Sequence, residues 1–215
     1  MADRWAQGDA GLVNKARCLL LSNPDPDIDA LTSRPEVLSV DVIDHERLHL
    51  LAEHSMPVKP PIWTALVWTT CFSPSSPVGG LIGSLTVNRH PVWGDNMNDP
   101  GNAILMISLV AGLSSLDAGS FTRRYLSHAE VARTHHGFDA YRQNVVEKNT
   151  IQGEPNPCSP SVDAISEILL ATEEAWQNRF YTTTESAEAV GQDVAGFLNR
   201  DDTSSTLIRR FPGLG

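Results

Sequence analysis

A chain of 215 residues with 41% hydrophobic side chains is long enough for one good core and short for two, which predicts a single domain. Its formal charge of −10 excludes nucleic-acid binding through one general basic face, although a few placed arginines can still contact phosphate. No apolar run reaches the roughly 18 residues that cross a bilayer, so no membrane partner is expected.

The start, MADRWAQGDAG, is polar and carries acids, and reads as neither a signal peptide nor a transit peptide. Residues 9–22 predict a first helix, with Asp9 as its cap and Leu12, Ala16, Leu19 and Leu20 on one face. The NPDPD stretch stops it. Residues 36–54 predict a helix from about Asp44, while the preceding VLSVDVI alternates enough to be a strand, and periodicity leaves that open. SMPVKPP at 55–61 is a loop, because three prolines do not fit inside a helix. IWTALVWTTCF is rich in aromatic and β-branched residues, SPSSPVGG breaks the chain, and LIGSLTV is a candidate short strand. NRHPVWGDNMNDPGN reads as a long polar loop of the kind that is often functional, closing on the helix entry Asp99-Pro100.

Residues 101–118 are apolar almost all round and predict a buried helix. Residues 121–148 predict one or two helices with Gly137 as the break, followed by the loop QGEPNPCSP. Residues 161–181 predict the clearest amphipathic helix, with Val162, Ile165, Leu169, Trp176 and Phe180 at steps of three, four or seven. Residues 185–199 predict a further helix, and 201–215 a disordered or arm-like tail. No internal repeat is visible. The expected fold class is mainly α.

Three residue groups carry possible chemistry. His45-Glu46-Arg47-Leu48-His49 matches H-E-x-x-H; on a helix His45 and His49 share a face and can grip one zinc, with Glu46 activating its water. A third ligand is missing, and Arg47 puts a cation beside the metal, so an exposed charged helix is the competing reading and no metal or other cofactor is expected. His128 with His135-His136 is a second histidine group, read as part of a surface helix. The segment with Arg123, Arg124, Arg133, Arg142 and Lys148 is locally basic in an acidic chain; it suits phosphate, or is an ordinary solvated helix face. Cys18, Cys71 and Cys158 form neither a disulfide framework nor a zinc pattern, which fits a reducing, intracellular place of synthesis.

The region 98–183 resembles the coat proteins of rod-shaped plant RNA viruses, of the tobamovirus and benyvirus type. The likeness lies in NDPGNAILMISLVAGLSSLDA, in the arginine-pair stretch TRRYLSHAEVAR and in SVDAISEILLATEEAWQNRFYTT. DRWA near the start and FSP before the Gly-rich segment are similar to benyvirus coat proteins. The resemblance implies an antiparallel helical bundle over 1–200 with a small β-sheet at one end and a flexible tail at 201–215. It implies a non-enzymatic helical capsid protein that polymerises side by side around single-stranded RNA into a filament. Arg123, Arg124 and Arg133 would contact phosphate, and Trp63, Trp68, Trp93, Trp176 and Phe180 would supply core and lateral contacts. The location would be the virion, after synthesis in the host cytoplasm. The alternatives are a zinc metallohydrolase using His45, Glu46 and His49, and a structural or adaptor protein without RNA.

Overall fold

The computed structural model describes residues 14–54, 61–70, 78–94, 97, 101–151 and 162–214. Among these, eight strands dominate: β1 (Asn14–Leu21), β2 (Val37–Ile43), β3 (Ala65–Thr69), β4 (Leu81–Trp93), β5 (Ile104–Val110), β6 (Ala140–Ile151), β7 (Ala164–Leu170) and β8 (Ser204–Pro212). Four helices accompany them: α1 (Ile28–Thr32), α2 (Ala118–His135), α3 (Glu173–Arg179) and α4 (Thr184–Val194), with a 3₁₀ segment at Leu48–His54. All strand pairings are antiparallel, and the order β1-β3-β2-β8-β5-β7-β6-β4 closes through β4 and β1 into a barrel. The mainly α fold and the antiparallel helical bundle are therefore overturned.

The topology repeats although the sequence shows no repeat. The first half is ordered β4-β1-β3-β2 and the second β8-β5-β7-β6, the same four-one-three-two arrangement with a helix after the first strand of each. The second half is a full β-α-β-β-α-β unit of ferredoxin-like type, α3 and α4 together filling its second helical place. In the first half α1 has five residues, and residues 70 and 78–80, described between β3 and β4, hold no helix. The halves join at two seams, β2 with β8 and β4 with β6. Closure leaves no unpaired sheet edge.

Alternation along each strand sends one set of side chains into the lumen and the other outward. Cys18, Leu20, Trp68, Leu85, Ile107 and Ile165 belong to the lumen cluster. On β4 the pattern is visible as Gly83, Leu85 and Val87 buried against the more exposed Ser84, Thr86 and Asn88. On β5 and β7 every residue is buried, because helices cover the outer face as the lumen covers the inner one.

That double burial explains the misread segments. The apolar part of 101–118 forms the buried strand Ile104–Val110 rather than a buried helix, since an apolar run without alternation looks the same in both. The helical spacing over 161–181 is a coincidence of two elements: Ile165 and Leu169 face the lumen from β7, whereas Trp176 and Phe180 join a separate cluster around α3. Residues 14–21, expected in a helix, form β1. VLSVDVI is strand β2, and Asp44 onward yields turns and the 3₁₀ segment instead of an α-helix. Asn88–Trp93, expected in a loop, extend β4. Residues 121–148 divide into α2 and β6 on either side of Gly137. The expected tail at 201–215 contains β8, which is hydrogen-bonded between β2 and β5, so the division at residue 200 fails. Residues 55–60 of the loop expected at 55–61, and Cys71, Cys158 and Asp9, lie outside the described residues.

Candidate functional site

α2 starts at Asp117, whose Oδ1 accepts from the Ser120 N–H at 2.8 Å. Its buried residues are Phe121, Tyr125, His128 and Ala132, spaced four, three and four apart, a single helical stripe turned to the sheet. α4 is capped by Thr183 and presents Ser186 and Val190 inward. Between these helices and the outer face of β5, β7, β6 and β8 lies a cavity of about 140 Å³, partly open to solvent. Tyr125, Tyr141, Phe138, Phe180 and Phe197 give it aromatic walls.

Two features make the cavity chemical. His128 lines it, and its Nδ1 is 2.7 Å from Asp193 Oδ2 on α4, while Nε2 has no hydrogen-bond partner among the described residues. Burial pushes the imidazole below its ordinary pKa, and the bond and charge of Asp193 only partly restore it. The ring is therefore neutral at pH 7, with Nδ1–H donating to the carboxylate and the Nε2 lone pair available. The second feature is the floor. Gln143, Ser166, Ser108 and Ser205 are register partners in one row across β6, β7, β5 and β8. Ser166 is bonded to the Tyr125 hydroxyl at 2.8 Å, and Ser108 to Ser205 at 2.7 Å. Burial raises the phenols of Tyr125 and Tyr141, so both remain protonated donors.

A second charged cluster fills part of the lumen. Arg210 on β8 grips Asp41 on β2 with two 2.7 Å bonds and reaches Glu167 on β7 at 2.8 Å. Glu167 also receives Arg142 at 3.3 Å and Asn144 at 3.0 Å, with Arg89 at 4.0 Å. Burial alone would raise the Glu167 carboxyl, but Arg210, Arg142 and Arg89 outweigh it and hold it down at about 2. Asp41 and Arg210 bridge one seam of the barrel, and Arg142 and Arg89 flank the other. This cluster ties the two halves together.

The residues singled out in the sequence are scattered. Arg123 bonds Ser120 on its own helix, Arg124 donates to the Gly196 carbonyl, and Arg133 donates to the Val92 carbonyl and lies over the Trp93 ring. His45 and Glu46 sit in a turn and His49 in the 3₁₀ segment, where its Nδ1 meets the Glu46 carbonyl. No group of three metal-binding side chains occurs among the described residues. The His128, His135 and His136 group, read as a surface helix, is partly buried instead: His135 bonds Ser186, and His136 bonds the Phe180 carbonyl. The stripe through Phe121, Tyr125 and Ala132 was the sequence signal that places His128 inward. Nothing near it in sequence announces Asp193, which is 65 residues away.

The fold and site thus define a class: a duplicated α+β barrel with an aromatic pocket between the helices and the sheet of its second half. No family model matches the chain, and no curated protein matches it. Among solved structures the chain is similar to an anthrone oxidase-like protein, with a TM-score of 0.56 and 8% identity over 95% of each chain. It is also similar to a Fusobacterium nucleatum protein provisionally named a monooxygenase, with a TM-score of 0.51 and 8% identity over 94% of each chain. At that identity the likeness establishes the fold alone. It overturns the helical capsid reading, and neither the comparisons nor the site supports the His45-Glu46-His49 hydrolase.

Proposed function

We propose that the protein is an oxidoreductase that holds a small aromatic substrate in the pocket of its second half, with His128 as general base. The observation that carries this reading is the carboxylate-held imidazole inside an aromatic-walled, partly open cavity. A cavity of roughly 150 Å³ accommodates benzene. A volume of about 140 Å³ therefore suits one enclosed ring.

The residues divide the work. Asp193 holds Nδ1–H, which fixes the tautomer and compensates the imidazolium that forms. His128 Nε2 takes a proton from an acidic O–H or C–H of the ring system, within the general-base range of about 10²–10⁴-fold. The anion left behind is electron-rich and gives up electrons to dioxygen more readily than the neutral ring. The oxidase-like and monooxygenase names of the structural neighbours support this direction of chemistry.

Oxygen uptake with a panel of phenols, quinols and cyclic aryl ketones tests the reading. Wild type should consume oxygen with at least one of them, and a folded His128→Gln variant should lose about 10²–10⁴-fold in rate. Full activity in His128→Gln, or a wild type that neither binds nor oxidises any aromatic, would overturn it.

A further inference from the structure

We infer that Ser108, Ser205 and Thr203 are specificity-determining residues that read a hydrogen-bond-accepting oxygen on the aromatic ligand. The inference rests on the pocket reading above and adds which substituent the ligand carries.

The row of small hydroxyls is out of place for a sheet face beneath helices. The corresponding outer face of the first half is built from Leu19, Leu21, Val40, Ala65 and Val67, which pack solidly with Leu31 of α1. In the second half, three adjacent strands place serines in register, Ser166 beside Ser108 and Ser108 beside Ser205. Serine does two things there. Its small volume leaves the cavity unfilled, and its hydroxyl puts polar atoms at the floor.

Those polar atoms are not used up by the protein. A hydroxyl has one donor hydrogen and two acceptor sites. The Ser108–Ser205 bond consumes one of the pair's two donors, and neither side chain has another partner among the described residues. Thr203 accepts from the Ala111 N–H at 3.1 Å, which leaves its own donor without a partner among the described residues. Ser108, Ser205 and Thr203 are all buried and all line the cavity. Leaving buried donors unmet is costly, so the site is built for something that brings acceptors. By the same count the Tyr125–Ser166 pair keeps one donor as well, while the Ser108–Ser205 pair and Thr203 together put two spare donors on the β8 side of the row. A carbonyl or phenolate oxygen on the ring edge matches them, whereas a hydrocarbon edge does not.

The probes are acetophenone and isopropylbenzene, which have nearly the same shape and differ in the carbonyl oxygen. Titration of each into the full chain, followed by calorimetry or ligand-observed NMR, gives two dissociation constants. A plain apolar pocket favours the hydrocarbon, because the ketone loses hydrogen bonds to water on entry. The expected result is the reverse, with acetophenone tighter in wild type. In Ser108→Ala/Ser205→Ala that preference should fall by about three- to ten-fold, with isopropylbenzene unchanged or tighter. The wild-type ratio needs no substitution, so a variant that misfolds leaves the test intact. Tighter isopropylbenzene in wild type, or a ketone preference that is undiminished in the folded double variant, overturns the inference while the pocket stands. Binding of neither probe overturns the pocket reading with it.

Discussion

The two halves of the barrel share one strand order and differ in what lies on their outer faces. In the first half a five-residue helix and residues such as Leu19, Val40 and Val67 make a solid apolar layer. In the second, the 18-residue α2 and the 11-residue α4 stand over a floor of serines, and a cavity remains between them. The same topology thus serves once as closure and once as a site. What separates the two is the residue type at a few outward positions and the length of the covering helices, so chemistry here resides in side chains placed on a shared frame.

The largest effect should come from the lumen cluster, which makes the halves one unit. Glu167→Gln leaves Arg210, Arg142 and Arg89 around a neutral amide, and breaking a buried pair of this kind costs about 3–5 kcal/mol. Urea unfolding should show one transition in both proteins, with a lower midpoint in the variant. Two separate transitions in wild type would mean that the halves are independent and the seams carry little.

A pH effect of similar size should belong to the second half. Burial lowers His136 to about 4 from an ordinary 6.5. A depressed pKa means that the unfolded chain binds the proton first, so stability is lost as pH falls from 6.5 toward 4. The loss from this group is roughly 3 kcal/mol, and His128 adds in the same direction. Glu167, held at about 2, adds its own loss only below its ordinary value of 4.5. Thermal melts between pH 7 and 4.5 should therefore fall in wild type and fall less in His136→Asn. Equal slopes would show that His136 takes up its proton without unfolding.

Converting the floor of the second half to the type found in the first should separate binding from stability. Ser108→Leu fills cavity space and takes away the partner of the buried Ser205 hydroxyl, so aromatic probes should bind at least about ten-fold more weakly while the fold is kept at a cost of about 1–3 kcal/mol. Fluorescence or calorimetric titration beside a melt reads both. The smallest effect is expected at Arg133→Ala, an exposed side chain with one 3.3 Å bond and one ring contact, at about 0.5 kcal/mol or less. A larger loss would mean that α2 is pinned to β4 more firmly than this geometry implies.

Local information in the sequence carried some elements and not others. Gly137 follows the end of α2, and α4 (Thr184–Val194) overlaps the helix expected over 185–199, because caps and breaks act within a few residues. The strands were harder. β5 and β7 are buried on both sides, and the alternation that identifies a strand vanishes when both faces are apolar. Residues 204–212 look like a polar tail by themselves and become a strand only because β2 and β5 flank them.

The sequence by itself determined that the chain has enough apolar residues for one core and where some of its short-range breaks fall. Tertiary structure alone decided the barrel, the pairing of two similar halves, and the site. Asp41 meets Arg210 across 169 residues, and His128 meets Asp193 across 65. Contacts at such separations leave no periodic trace along the chain, because they depend on which strands pair and which faces are then covered.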